Sequence, residues 1–287
     1  MEIWQGKLQP PARALREGLE SADGLLCLLT DRIDRELIDG APQLRAISTY
    51  AVGYDNIDLE AAAAREIPVG HTPDVLTDAT ADFTFALLLA AARRLVEGVD
   101  LVRGGEWLTW EPDLLLGADL QGATLGIVGL GRIGKAVARR AEGFGMKLLH
   151  TSRSSGAPLD ELLAESDFVS LHCPLTEATR HLIDAEALER MKDSAILINS
   201  ARGELVDVQA LERALRKGVI RAAALDVTEP EPLAADHPLY GAPNLLVAPH
   251  IASASRRARE QMAELAVDNL LAGLAGEPLP NQVPAGT

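Results

Sequence analysis

Leu125-Gly126-Ile127-Val128-Gly129-Leu130-Gly131-Arg132-Ile133-Gly134 is the stretch that decides the fold. Its apolar opening reads as a buried strand, and the G-x-G-x-x-G after it as a turn into a helix. The first glycine, Gly129, permits the tight turn, and the second, Gly131, lets backbone approach a pyrophosphate. The third, Gly134, lets the helix pack close on the strand, while N–H groups at the helix N-terminus face the anion. Glycines mark many ordinary turns, so the motif is weak alone. Here a helical pattern over 135–142 and a further strand over 147–150 supply the context that dinucleotide binding requires.

Downstream, the same alternation continues. Strands are expected at 168–171, 195–199, 222–227 and 245–248, with helices over 159–165, 185–191 and 208–217 between most of them. Strands alternating with helices of this size predict βαβ units and a parallel sheet. Upstream, 25–29 and 44–47 read as strands, 36–38 and 59–65 as helical pieces, and Val69 closes that unit. A long helix is expected from about Thr77 to Val96, apolar nearly all round and so buried between two lobes. A last helix is expected over about 255–274, ending before Gly276 and Pro278.

The end of the second strand carries information by what it lacks. An NAD site would place Asp or Glu about 20 residues past the glycines to hold the ribose 2′-OH. This chain reads His150-Thr151-Ser152-Arg153-Ser154, with no acid until Asp160. Arg153 can take a 2′-phosphate with its planar fork, and the Ser152 and Ser154 hydroxyls can add donors. NADP(H) is therefore favoured over NAD(H), against the alternative of a solvated loop arginine.

Composition bounds the rest. The 287 residues suggest about two domains, and 27 Lys+Arg against 42 Asp+Glu give a net charge of −15. Such a chain repels phosphate backbones, and aromatics at 3% offer few stacking platforms, so nucleic acid is not an expected partner. Cys27 and Cys173 form no CxxC pair, and no metal site is expected. The longest apolar stretch, 83–92, is far below the roughly 20 residues of a membrane span. With no signal-like N-terminus, the expectation is a cytoplasmic protein with no membrane partner.

Three polar residues follow predicted strand ends, where open α/β sheets bind ligands. They are Arg202 after Ile198-Asn199-Ser200-Ala201, Glu231 after Leu225-Asp226-Val227, and His250 after Val247-Ala248-Pro249. A histidine–carboxylate pair is a tunable acid/base, and an arginine beside it can clamp a carboxylate and polarise a carbonyl. Each has a plain alternative: a turn cap, one acid of an acidic loop, a structural histidine.

These stretches resemble the D-2-hydroxyacid dehydrogenases, and within them the glyoxylate/hydroxypyruvate reductases. The resemblance runs in family order through 50–58, 75–82, 126–134, 199–207, 224–232 and 248–254. It implies an α/β fold of two lobes: a Rossmann-type cofactor domain over 77–261 including the hinge helix, and a flavodoxin-like substrate domain from 1–76 and 262–287. It implies a catalytic set of Arg202, Glu231 and His250, Glu231 being chosen because it directly precedes Pro232. Val52 and Gly53 N–H groups would hold the substrate carboxylate together with Arg202 and His250. Around the cofactor it implies Thr80, Arg132, Ile133, His172, Cys173, Pro174, Ser200, Ala201, Asp226 and Ala252 beside His250. Asp226 would face the nicotinamide carboxamide, Thr80 would lie near the nicotinamide, and 172–174 would lie beside the adenosine. The implied reaction is reduction of a small 2-oxo acid to the D-2-hydroxy acid by a homodimer, with lobe closure excluding water. Trp110 would approach a partner's substrate site, the alternative being that Trp107 and Trp110 only pack a dimer.

Two departures stand out. Met1-Glu2-Ile3-Trp4 looks like the family's second strand with no first strand before it, which should expose an apolar sheet edge. The loop after Arg153 is also short, leaving fewer groups around an adenosine. Other readings are a dinucleotide-sensing, corepressor-like binding protein, an NAD-dependent phosphoglycerate-type dehydrogenase, and an inactive paralogue. A formate dehydrogenase is disfavoured because that group carries Gln where this chain has Glu231.

Overall fold

The computed structural model describes residues 2–284. The chain divides into two compact units, one running to Leu76 and resuming at Ser255, the other Thr77–Ala254. The second crossing thus falls ahead of the last helix rather than inside it at 262. That helix is one unbroken element which packs as a whole on the first unit's sheet.

In the first unit, α1 (Ala12–Leu19) and β1 (Gly24–Cys27) are followed by α2 (Arg35–Asp39), β2 (Ala46–Thr49), α3 (Leu59–Ala64) and β3 (Val69–Gly70). The sheet is parallel in the order β1-β2-β3, with Leu25 opposite Ile47 and Ile47 opposite Val69. α2 and α3 begin where aspartates can cap them: Asp34 accepts from the Leu37 N–H and Asp58 from the Ala61 N–H. No strand forms at Glu2–Trp4, where Ile3 and Trp4 are 60% and 50% exposed; Met1 lies outside the described residues. β1 is therefore an edge, and Leu26 is 41% exposed on it. The unit is a three-stranded piece of a flavodoxin-like sheet. Helix α1 was not anticipated, because it starts after Pro11 with no capping side chain to announce it.

The second unit opens with α4 (Thr77–Ala92) and α5 (Leu95–Arg103). These replace the single helix expected over 77–96. Arg94 turns left-handed (φ 52°) between them, and the Ala92 carbonyl accepts instead from the Ala118 N–H. Then come β4 (Thr124–Val128), α6 (Arg132–Gly143), β5 (Lys147–Thr151), α7 (Leu159–Glu165), β6 (Phe168–Leu171), α8 (Ala185–Arg190), β7 (Ile196–Asn199), α9 (Val208–Lys217), β8 (Ala222–Leu225) and β9 (Leu245–Val247). The sheet is wholly parallel, ordered β5-β4-β6-β7-β8-β9. The apolar runs of β6, β7 and β8 are explained by burial on both faces. Phe168, Ile196, Ile198 and Ala224 face one core with α4 and α6, while Val169, Leu171, Leu197 and Leu225 face another with α7, α8 and α9. From β4 the chain moves outward to β5 and then back past β4 to β6. The carboxyl ends of β4 and β6 therefore flank the switch point where such sheets bind ligands.

The last element, α10 (Arg256–Ala275), returns to the first unit. Ser255 caps it through the Ala258 N–H, and Gly276 ends it at φ 75°. Asn269 on this helix is fully buried. It donates to the His71 carbonyl at 2.9 Å and accepts from the Asn281 N–H at 2.8 Å, tying the segment after β3 to the tail. Among the described residues no helix is long and apolar enough to cross a membrane. Because Asn269→Ala removes the partner of two part-buried backbone groups, it should cost about 1–3 kcal/mol. Urea unfolding checks this, and a loss below about 0.5 kcal/mol would show that the tie is not a stabilising contact.

Candidate active site

The three motif glycines have different reasons to be glycine. Gly129 sits at φ 99°, and a Cβ there would lie 2.5 Å from the Cys173 nitrogen. A Cβ on Gly134 would overlap the Gly129 carbonyl, so α6 can approach β4 only without one. Beyond its own chain neighbours, nothing lies within 4 Å of where a Cβ on Gly131 would stand. Packing does not require glycine there, which leaves open a cradle of bare backbone. Gly131 is also the N-cap of α6, and no side chain caps that helix end. Bare backbone and a helix N-terminus beyond the carboxyl end of β4 suit a pyrophosphate. Arg132 and Ile133 form the helix's first turn.

Beyond β5, Ser152 and Ser155 close a short turn. The Ser152 hydroxyl lies 3.0 Å from the Ser155 carbonyl and 2.9 Å from its hydroxyl. Gly156 then bridges back to Thr151. Arg153 and Ser154 stand exposed at the tip, and no carboxylate lies in the turn. Opposite, after β6, burial pulls the His172 imidazole down to about 4 and pushes the Cys173 thiol up to about 11. His172 Nε2 is 2.8 Å from the Ser170 hydroxyl. Both side chains are therefore uncharged near neutral pH, and with Pro174 they form an uncharged wall beside the glycine turn.

Arg202, Glu231 and His250 follow β7, β8 and β9, three neighbouring strands. Asn199, 1% exposed, braces the first of these turns. It donates to the Arg202 carbonyl at 2.7 Å and accepts from the Ala201 N–H at 3.0 Å. A Cβ on Gly203 would overlap the Thr228 carbonyl, so the Arg202 turn lies directly against the loop that carries Glu231. Glu231 Oε1 is 2.6 Å from His250 Nδ1, with the two side chains 31% and 24% exposed. A carboxylate at Nδ1 fixes the proton there and leaves Nε2 for a reactant.

His250 has φ 53°, left-handed backbone that a non-glycine residue adopts only under constraint. Asp226 supplies the constraint. Its carbonyl accepts the His250 N–H at 2.8 Å, and its carboxylate oxygens accept from Ile251 at 2.8 Å and Ala252 at 2.7 Å. Burial raises the Asp226 pKa, and those two N–H groups oppose the shift. The carboxylate expected to face a carboxamide is thus also the anchor of the histidine loop.

Ser200 is placed by a contact that sequence reasoning missed. Thr84 on α4 donates to the Thr80 carbonyl at 2.8 Å and lies 2.8 Å from the Ser200 hydroxyl, so Ser200 must donate to Thr84. Buried hydroxyls four residues apart on an apolar helix were the available signal. Two further residues were missed. Glu229, which also precedes a proline, pairs with Arg180 and His181 rather than with His250. In the first unit, His71 Nδ1 lies 2.9 Å from the Val52 carbonyl, which belongs to the same peptide group as the Gly53 N–H. Val52 and Gly53 follow β2 in that unit. Trp110, 77% exposed, lies between α5 and β4.

Residues 85–252 match the family described as D-isomer specific 2-hydroxyacid dehydrogenase, NAD binding domain. The chain is 50% identical over 295 residues to a glyoxylate reductase of Korarchaeum cryptofilum (strain OPF8), covering 99% of this chain and 89% of that one. It is similar to the crystal structure of the TT0316 protein of Thermus thermophilus, with 54% identity, a TM-score of 0.91, and coverage of 96% and 91%. It is also similar to an NADPH-dependent glyoxylate/hydroxypyruvate reductase of Sinorhizobium meliloti, solved with NADP and malonate. There the identity is 35%, the TM-score 0.85, and the coverage 93% and 85%. At such identity and coverage, this chain belongs to the D-isomer specific 2-hydroxyacid dehydrogenases and is an oxidoreductase acting on CH–OH groups.

Proposed function

We propose that this chain reduces a small 2-oxo acid of the glyoxylate or hydroxypyruvate type to the D-2-hydroxy acid, using NADPH in preference to NADH. The observation that carries the reading is the 2.6 Å pair of His250 Nδ1 and Glu231 Oε1 past the carboxyl ends of adjacent strands. The second unit is the cofactor domain in this reading.

A bound reduced nicotinamide dinucleotide supplies the hydride for the carbonyl carbon. Gly131, the first turn of α6, the 152–154 turn, the 172–174 wall, Thr80, Ser200, Ala201, Asp226 and Ala252 are the groups that would hold it. His250 donates the Nε2 proton to the carbonyl oxygen, and Glu231 stabilises the imidazolium that carries that proton beforehand. The Arg202 guanidinium holds the substrate carboxylate and offsets the charge that grows on the oxygen. In the first unit, His71 fixes the plane of the Val52–Gly53 peptide, whose N–H is the Gly53 donor expected for a carboxylate. NADPH is favoured by the exposed Arg153 and by the lack of a carboxylate in its turn.

A homodimer fits one surface. Val102, Trp107, Leu108 and Trp110 on α5 and the segment after it are 56%, 56%, 90% and 77% exposed. Clustered apolar exposure of this kind marks interaction sites, and a second copy is the proposed occupant, with Trp110 near its substrate site.

Four outcomes are expected. His250→Ala should lower kcat for glyoxylate by about 10²–10⁴-fold with the NADPH dissociation constant nearly unchanged; wild-type turnover would end the acid assignment. Glu231→Gln should lower kcat for glyoxylate and leave the NADPH dissociation constant nearly unchanged, because an amide places no negative charge beside the His250 ring; unchanged kcat would remove the pairing role. Arg153→Ala should raise the KM for NADPH about tenfold, the order expected for a lost charge-assisted bond, and leave NADH unaffected. Equal losses with both would remove the 2′-phosphate role. For assembly, Trp107→Ser with Leu108→Ser should convert a dimer to a monomer in size-exclusion chromatography with light scattering. A wild-type monomer would contradict the dimer directly.

A further inference from the structure

Glu229 and Glu231 lie two residues apart in one loop, and their side chains make separate attachments. Glu231 takes His250. Glu229 Oε1 accepts from Arg180 at 3.0 Å, and Oε2 lies 2.7 Å from His181 Nε2. We propose that Arg180, His181 and Glu229 form a positioning clamp that holds the Glu231 loop and the Arg202 turn in register for proton transfer. This rests on the proposed roles of Arg202, Glu231 and His250.

Hydrogen bonds offer the Glu231 loop few other attachments. Pro230 and Pro232 have no N–H to donate. Among the described residues, no backbone–backbone hydrogen bond involves 229–232. Thr228 adds local contacts only, its hydroxyl to the Pro230 carbonyl at 2.9 Å and its N–H toward Glu231 Oε2 at 3.4 Å. Thr228 packs on Gly203 at one end of the loop and Leu233 is buried in the core at the other, and between them the Glu229 side chain supplies the polar anchor for the segment that carries Glu231.

The residues that receive Glu229 also hold the other catalytic turn. The His181 N–H donates to the Glu204 carbonyl at 2.7 Å, the Ile183 N–H to the Leu205 carbonyl at 2.9 Å, and the Asp207 N–H to the Ile183 carbonyl at 3.0 Å. Ile183 and Val206 thus form a parallel bridge. The chain at 180–183 is in this way paired by backbone to the residues after Arg202 and by side chains to the loop before Glu231. His181 reaches both from a left-handed conformation, φ 51°. Ile183 is fully buried, which fixes the strap to the core.

Stability and positioning can be separated here. Arg180, His181 and Glu229 are 44%, 45% and 32% exposed, and ion pairs so exposed add little to folding. Reaction rate is more sensitive, since a displacement of about 1 Å in a reacting group can cost 100-fold. The clamp should matter to turnover more than to the melt.

The test compares Glu229→Ala, Arg180→Ala and the double variant with the parent and with His250→Ala. Glyoxylate kinetics, NADPH binding by fluorescence and thermal melts are read for each. Glu229→Ala should lower kcat about tenfold while NADPH binding stays within twofold and the melting point within about 2 °C. Arg180→Ala should lower kcat about threefold and Arg180→Lys should restore it. The double variant should be no worse than Glu229→Ala, because both changes break one unit. Wild-type kcat in Glu229→Ala, additive losses in the double variant, or losses that track a lowered melting point would each overturn the clamp. Should Glu229→Ala fail to fold, Arg180→Ala and its rescue by Lys decide alone, and unchanged turnover in Arg180→Ala overturns the proposal. If His250→Ala is inactive while Glu229→Ala matches the parent, only the clamp fails. An active His250→Ala would remove the catalytic reading on which the clamp depends.

Discussion

Burial of the six-stranded parallel sheet on both faces is the constraint on which the second unit depends. Within its central strands β6, β7 and β8 nearly every side chain must be apolar, as Phe168–Leu171, Ile196–Asn199 and Ala222–Leu225 show. Polar side chains with chemistry to perform can then stand only past strand ends. Parallel direction gathers those ends on one side, so Gly129, Arg202, Glu231 and His250 follow β4, β7, β8 and β9 at the same rim. Chemistry follows from topology before any side chain is considered.

Holding that rim needs polar groups inside the protein, and each is fully engaged. Asn199 uses both ends of its amide on the Arg202 turn. Asp226 carries the larger desolvation cost, and its two carboxylate oxygens are matched by two N–H groups of the histidine loop. Those bonds hold His250 in left-handed backbone and thereby aim its ring at Glu231. Buried polar groups are worth retaining where they fix a geometry that apolar packing alone would leave open.

Much of this was legible in the chain. The glycine turn was readable because Gly129 and Gly134 have local steric reasons and Gly131 leaves bare backbone at a helix N-terminus, and β6 was readable because a doubly buried strand is a bare apolar run. The missing acid after β5 was readable as an absence. Other features depend on contacts between residues distant in sequence. The break at Arg94 follows from the Ala118 N–H taking the Ala92 carbonyl, which no local pattern announces. Glu229 and Glu231 have the same proline neighbour, and only tertiary placement gives one to His181 and the other to His250. Likewise Glu2–Trp4 has strand-like composition yet joins no sheet, although β1 presents an edge.

The most direct measurement is the loss of reduced-nicotinamide absorbance when the purified 287-residue chain meets glyoxylate, with NADPH and NADH run in parallel. Fast oxidation of NADPH and slow oxidation of NADH is the result expected of this site. No oxidation of either, in protein that melts cooperatively and binds NADPH, would contradict the assignment of Arg202, Glu231 and His250 as the machinery of a 2-oxo acid reductase.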